Sequence, residues 1–419
     1  MISGKFFTIG LAVTSWAAWG QGAPSWQVAE GLESVQWHIA GDPRGVPVVE
    51  LGQVNSLELN FDDFFLTTQA LNYTWIHCDR NWRPSRLSAS EYLDGFLQDQ
   101  LPEGRLSFNT YQDYSHVRAI LPRSECQPLI SGNYYLVILD PQLGDTLAKL
   151  PTVFVEQLAS IQGRVNIPLS RDLRATHQEI DVNLDISAFA LNDPMADVSM
   201  SYIQNRNWNT WRTLQPRFNH GTMLSFDYDQ GENAFAGGNR FRFIDSKNLP
   251  TPSLRLRRYE LEDHWTAFTE NEAMRGGLSY VHEPDGRGVF SPRKQNSTDH
   301  DVEADYVKVD FYLKSAAALD HPVYLVGDFN AYQFRPDHEL AFDSIESAYR
   351  GQILIKQGYT EYLFAEATST ADGSNWPVAA VARTEGNHWD CDNWYTVVAY
   401  VSTWGDRYDR AVGMVQMRR

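Results

Sequence analysis

The feature that most constrains this chain is a two-residue alternation. It recurs in short runs, and no long helical period replaces it after residue 20. The stretch Leu71–Phe96 shows it best. Leu71, Tyr73, Trp75 and His77 alternate with Asn72, Thr74, Ile76 and Cys78, as on a strand whose two faces differ. Pro84 ends the run because it has no N–H for a ladder. Ser85 or Ser88 suits the cap of a short helical turn, with Glu91 three residues after Ser88. The rhythm returns at residues 34–39 and 46–51, at Leu57, Leu59 and Phe61, and at residues 107–111, 117–121, 132–139 and 153–155. Short strands separated by turn residues predict a sandwich over residues 21–158.

A second unit is expected over 159–283. There Ile180, Val182, Leu184 and Ile186 alternate in EIDVNLDI, and Gly237 and Gly238 suit a turn. Residues 284–304 are polar and broken by Pro and Gly, which reads as a linker or exposed loop, with residues 286–290 able to form an edge strand. A third unit is expected over 305–419. The fold class is therefore all-β: three antiparallel immunoglobulin-like β-sandwich domains in series.

Residues 1–20 read as a signal peptide, with Lys5 before an apolar run and small residues Ala18 and Gly20 before Gln21. The run is short for a membrane span and lacks a charged stop on its far side. Lys5 is the only charge there, so its loss takes the formal charge from −18 to −19. Such a surface disfavours nucleic acid and anionic lipid, and suits solubility or a basic partner. Hydrophobic residues make up 43% of the sequence, which excludes disorder. The three cysteines, Cys78, Cys126 and Cys391, form no closed disulfide framework, although a Cys78–Cys126 bridge is open to an exported protein.

Catalytic signatures are weak. His77, Cys78 and Asp79 are metal-ligand types, but neighbours on a strand point to opposite faces, so no metal site is expected. A Cys nucleophile would need a base such as His116 or His177 brought near it in space. Asp62 and Asp63 in NFDDFF read as solvated carboxylates at a strand end rather than an acid/base pair. No nucleophile-elbow, dinucleotide or Walker pattern occurs. The expectation is no catalytic residue, no metal and no cofactor. Asn72 and Asn296 fit the glycosylation pattern by chance under bacterial export.

Two resemblances give direction. PVYLVGDFNAYQF, Pro322 to Phe334, resembles the early strands of carbohydrate-binding immunoglobulin-like modules. It makes Tyr332 and Trp376 the alternative glycan-stacking candidates of a secreted carbohydrate-binding protein. The wider pattern resembles the plug family of the type IX secretion system. The matching stretches are HCDRNWRPSRLSASEYLDGF, SFNTYQDYSHV, SGNYYLVIL, THQEIDVNL, IQNRNW, FAGGNRFRFID, ADYVKVDFYL, VYLVGDFNAY, IKQGYTEYLF and RYDRAVG, in that order. The sequence departs from the family at Tyr332, where Trp is usual, and at HWDCDN, residues 388–393. The resemblance implies a non-enzymatic periplasmic protein, associated with the outer membrane through a large β-barrel translocon partner. It would close the barrel's periplasmic mouth, as a monomer within that complex and with no membrane span of its own. Asp79, Asn81, Trp82 and Arg83 are the partner-binding candidates, since Trp and Arg are common interface anchors. Packing of Trp82 inside the first domain is the competing expectation.

Overall fold

The computed structural model describes residues 22–67, 69–369 and 377–419. The expected signal peptide at residues 1–20 and the glycan candidate Trp376 lie outside the described residues. The fold is all-β. Among the described residues the α-helices are three four-residue turns, Ala89–Tyr92, Pro194–Asp197 and His300–Glu303. The first follows Ser88, whose backbone N–H donates to Glu91 Oε2 at 2.8 Å, as the capping pattern predicts. No helix of the described residues is long and apolar enough to cross a membrane.

Two sheets form the first sandwich. One runs in the order Gln27–Val28, Thr146–Val155, Gly132–Leu139, Asn72–Cys78, Asp99–Gln100. The other runs Leu32–Ile39, Leu57–Asp63, Ser115–Leu121, Arg105–Leu106. Tyr73 and Trp75 point between the sheets, where Trp37, Leu59, Phe61, Leu136 and Phe154 close on them. Trp37 and Trp75 lie 6.1 Å apart between ring centroids. Cys78 faces the other way, into a separate apolar cluster. The run Gly132–Leu139 is buried almost throughout because it is covered on both faces.

The second sandwich corrects the serial arrangement. Its first sheet contains Ile161–Asn166, His177–Asp185, Met223–Phe226 and Phe218–Asn219. Its second sheet is Asn207–Leu214, Val198–Gln204, Trp394–Val401 and Arg410–Arg418. The last two strands of the protein thus complete a sandwich begun more than two hundred residues earlier, with Tyr202 paired to Val397. Ile180, Val182 and Leu184 fill this core with Met200, Tyr395 and Val397.

The third strand group lies between these two parts of the second. Its backbone is an 11-stranded sheet ordered Arg242–Asp245, Gly358–Ser369, Val323–Val326, Glu339–Asp343, Ala348–Lys356, Tyr306–Lys314, Trp265–Thr269, Leu256–Leu261, with three short strands beside that path. Residues 242–269, expected in the middle domain, therefore pair here. FAGGNRFRF crosses between units, since Ala234–Ala236 pairs in the second and Arg242–Asp245 in the third. Pairing is mainly antiparallel, but Val48–Glu50, Trp265–Thr269 and Glu272–Ala273 add parallel ladders.

The expected linker is also structured. Phe290–Pro292 pairs with Gly358–Ser369. Residues 299–305 clasp the first sandwich: Arg105 Nη2 meets Asp301 Oδ2 at 3.2 Å, and the Tyr111 N–H donates to Asp305 Oδ2 at 2.8 Å. A polar composition here reflects contacts between units rather than free solvent.

Candidate functional site

The aromatic corner after Cys78 is a tight loop. Asp79 Oδ1 accepts the N–H groups of Asn81 and Arg83, both at 2.9 Å, and the Trp82 N–H donates to the Asp79 carbonyl at 2.9 Å. Trp82 adopts φ 63°, a left-handed conformation that costs a non-glycine residue energy unless packing fixes it. The packing is present. Trp82 is 2% exposed, with Tyr135 on its own sandwich and Trp208 and Trp211 of the second at centroid distances of 5.2, 5.6 and 5.3 Å. The Arg80 N–H donates to Asp409 Oδ2 at 2.8 Å, and the Tyr400 hydroxyl donates to Asn133 Oδ1 at 2.5 Å.

The expectation of Trp82 as an exposed anchor is corrected: the side chain joins two sandwiches of the same protein. Asp79 and Asn81 are half-buried parts of that loop, and Arg83 alone of the four candidates is exposed. Sequence reasoning missed Trp208 and Trp211, the other half of the contact. The one available signal was their clustering in NRNWNTW.

A second junction joins the first and third strand groups through buried charge. Asp62 pairs across its sheet with His116, and Lys356 pairs across its own with Tyr306. These two pairs face each other. Lys356 Nζ and the Tyr306 hydroxyl both donate to Asp62 Oδ2 at 2.6 Å, and His116 Nδ1 lies 2.7 Å from Asp62 Oδ1. Lys356 Nζ also donates to the Asp301 carbonyl at 2.8 Å and sits 4.2 Å from the Tyr114 ring centroid. Asp62 is 0% and Lys356 2% exposed. Burial lowers the Lys356 pKa, and Asp62 opposes that shift. Asp63, also buried, accepts from the Phe65 and Thr67 N–H groups. The expectation that both carboxylates are solvated is therefore corrected. His116 is engaged with Asp62. Cys78, whose thiol burial pushes up, lies in the cluster between the first and second sandwiches.

Arg206, on the turn between Val198–Gln204 and Asn207–Leu214, reaches all three groups. It donates to the carbonyls of Pro43 and, at 3.3 Å, Trp37, and its Nη1 lies 3.4 Å from Asp328 Oδ2. Burial pushes the Asp328 carboxyl up to about 6, with Arg206 opposing.

The GDFN segment corrects the glycan alternative. Asn330 Oδ1 accepts the Gly327 N–H at 3.1 Å, and its amide donates to the Leu325 carbonyl at 2.9 Å, so the loop folds on itself. A Cβ at Gly327 would meet the Glu361 carbonyl oxygen at 2.6 Å. Ala331 and Tyr332 then adopt φ 50° and 57°, which turns the ring inward. Tyr332 is 3% exposed, among Val326, Leu363 and Ala365. Tyr332→Ala is expected to cost about 3–5 kcal/mol. It should leave passage over an α-glucan column unchanged. Retention of the wild type that the substitution abolishes would contradict this placement.

One carboxylate cluster lies apart from these junctions. Ligand-type atoms of Glu179, Asp181 and Asp227 lie within 4.8 Å of one another. Asn166 and Asn233 donate to the two Asp181 oxygens at 2.6 and 2.9 Å. Burial, then the neighbouring Asp181, Asp227 and Asp229 charges, raise Glu179 from 4.5 to about 7, with a bond from the Leu169 N–H opposing. The folded state thus holds the proton more tightly. Stability from this group is full below pH 4.5 and is lost as pH rises through about 7. Glu179→Gln is expected to raise stability at pH 8 by on the order of 1 kcal/mol and to leave it unchanged at pH 4. Urea melts at the two pH values check this, and equal effects at both would contradict it.

Comparisons with known proteins agree with the fold. A crystal structure of a hypothetical protein from Parabacteroides merdae ATCC 43184 superposes with a TM-score of 0.85 at 24% identity, covering 96% of this chain and 99% of that one. That likeness shows the fold. No curated protein matches the sequence. Residues 32–155, the first sandwich from its first core strand to its last, match the family described as type 9 secretion system plug protein 1st domain. The first sandwich therefore belongs to the family of first domains of type 9 secretion system plug proteins.

Proposed function

We propose that the protein is a non-enzymatic periplasmic plug. It docks on the periplasmic opening of the large outer-membrane β-barrel of the type IX translocon and closes it when no substrate is in transit. The match of residues 32–155 carries this reading. The packing supports it. A closure must be stiff, and here the three strand groups are locked by the Trp82 contact, the Asp62–Lys356 pair and Arg206. Docking must also be reversible, which suits a partly polar surface. Exposed Arg83, beside the locked corner, is the remaining contact candidate from the sequence. The alternative carbohydrate-binding reading loses its Tyr332 platform to the interior.

The test is envelope permeability. A strain lacking the protein is expected to admit large solutes that the intact outer membrane excludes, with re-expression restoring exclusion. Unchanged permeability, in cells where the translocon barrel is present, would overturn the closing role.

A further inference from the structure

The three strand groups meet around a small crevice with an unusual lining. It is formed by Arg44, Gly45 and Val46 of the first sandwich, Asn205, Arg206 and Trp394–Thr396 with Gln416 of the second, and Gly286 and Arg287. Among the described residues three arginines line it, with no Asp or Glu, although the protein has 53 acidic residues against 35 basic ones. Arg206 is matched by Asp328. Arg44 and Arg287 form no ion pair among the described residues. Both guanidinium groups lie over the Trp394 ring, at 6.0 and 5.1 Å from its centroid. The nearby carboxylates are turned to the backbone. Asp42 accepts the Arg44 N–H, and Asp285 accepts those of Arg287 and Phe241.

Two buried donors at this crevice, Arg287 Nε and Trp394 Nε1, have no protein acceptor among the described residues. Leaving such groups unmatched is costly, which favours an acceptor supplied from outside. A guanidinium stacked on an aromatic face keeps its N–H edge free for a planar, two-oxygen acceptor. The free space is about 20 Å³. It suits one or two oxygen-sized groups rather than a ring, since a single water needs about 10–15 Å³.

We propose that this crevice binds a peptide carboxylate, from either an acidic residue or a free C-terminus, held by Arg44, Arg287 and the Trp394 N–H. Its lining comes from all three strand groups, so the bound carboxylate also ties them together. This proposal does not depend on the plug reading.

The test is calorimetric titration of the full-length protein at low salt with three short probes. The first is acetyl-Gly-Gly-Phe with a free C-terminus. The second is the same peptide amidated. The third is the amidated peptide with one internal Asp. At least one carboxylate probe is expected to bind and the neutral amide to fail; which one binds separates the two carboxylate sources. Arg44→Gln and Arg287→Gln are each expected to weaken binding about tenfold, and Trp394→Phe, which keeps the ring but removes the N–H, several-fold. Arg44 is exposed, so its variant should keep the wild-type melting curve. Several results would overturn the proposal. They are no binding of either carboxylate probe at about 10 mM, equal binding of the amide, or undiminished binding in a folded Arg44→Gln/Arg287→Gln variant. Inorganic phosphate competing as well as the peptides would also overturn the assignment to a peptide carboxylate.

Discussion

Lys356→Met is expected to lower the unfolding free energy by about 3–5 kcal/mol, because it strands the buried Asp62 charge at a junction that water does not reach. The Tyr306 hydroxyl and His116 Nδ1 still meet Asp62, but neither replaces the Lys356 charge at 2.6 Å. Asp62→Asn in the same protein should recover more than half of the loss, because the uncompensated charge is then gone. Urea melts of the single and double variants read both values. A single variant within about 0.5 kcal/mol of wild type would mean that the two strand groups do not meet through this pair. A double variant no better than the single would mean that lost packing, not charge, sets the cost.

Trp82→Ala should cost about 3–5 kcal/mol, the range for emptying a large aromatic site in a core. The cavity would open among Tyr135, Trp208 and Trp211, so the loss falls on the contact between the first two sandwiches. The left-handed backbone at residue 82 would also lose the packing that holds it. Unfolding is expected to split into two steps, and protease to cut first near residues 156–160, where the backbone passes between the sandwiches. The short strand Ile161–Asn166 begins just beyond, and Glu156 bonds Arg410 across the same junction. A single cooperative melt with unchanged midpoint would contradict the placement of Trp82.

The same residues show what the sequence could reveal. Two-residue alternation correctly assigned Tyr73 and Trp75 to one face and Cys78 to the other, because strand geometry is local. It placed Ile180, Val182 and Leu184 in one core for the same reason. It could not tell that Trp394–Val401 pairs with Val198–Gln204. An apolar strand looks the same whichever strand completes its ladder, and this partner lies on the far side of a whole strand group. The capped turn at Ala89–Tyr92 was legible from Ser88 and Glu91. Asp62 was misplaced because its partner Lys356 is 294 residues away. Tyr332 was misplaced because the left-handed turn that buries it has no glycine to announce it. The unbroken apolar run in SGNYYLVIL did carry a usable signal: it is too apolar for a strand with one wet face, and the second sandwich covers that face.

The most direct test of the account is to tag the C-terminus, extract the envelope in mild detergent and identify what co-purifies by mass spectrometry. A very large outer-membrane β-barrel as the main partner is the result the account predicts. Isolated protein, from preparations in which that barrel is detected intact, would contradict it.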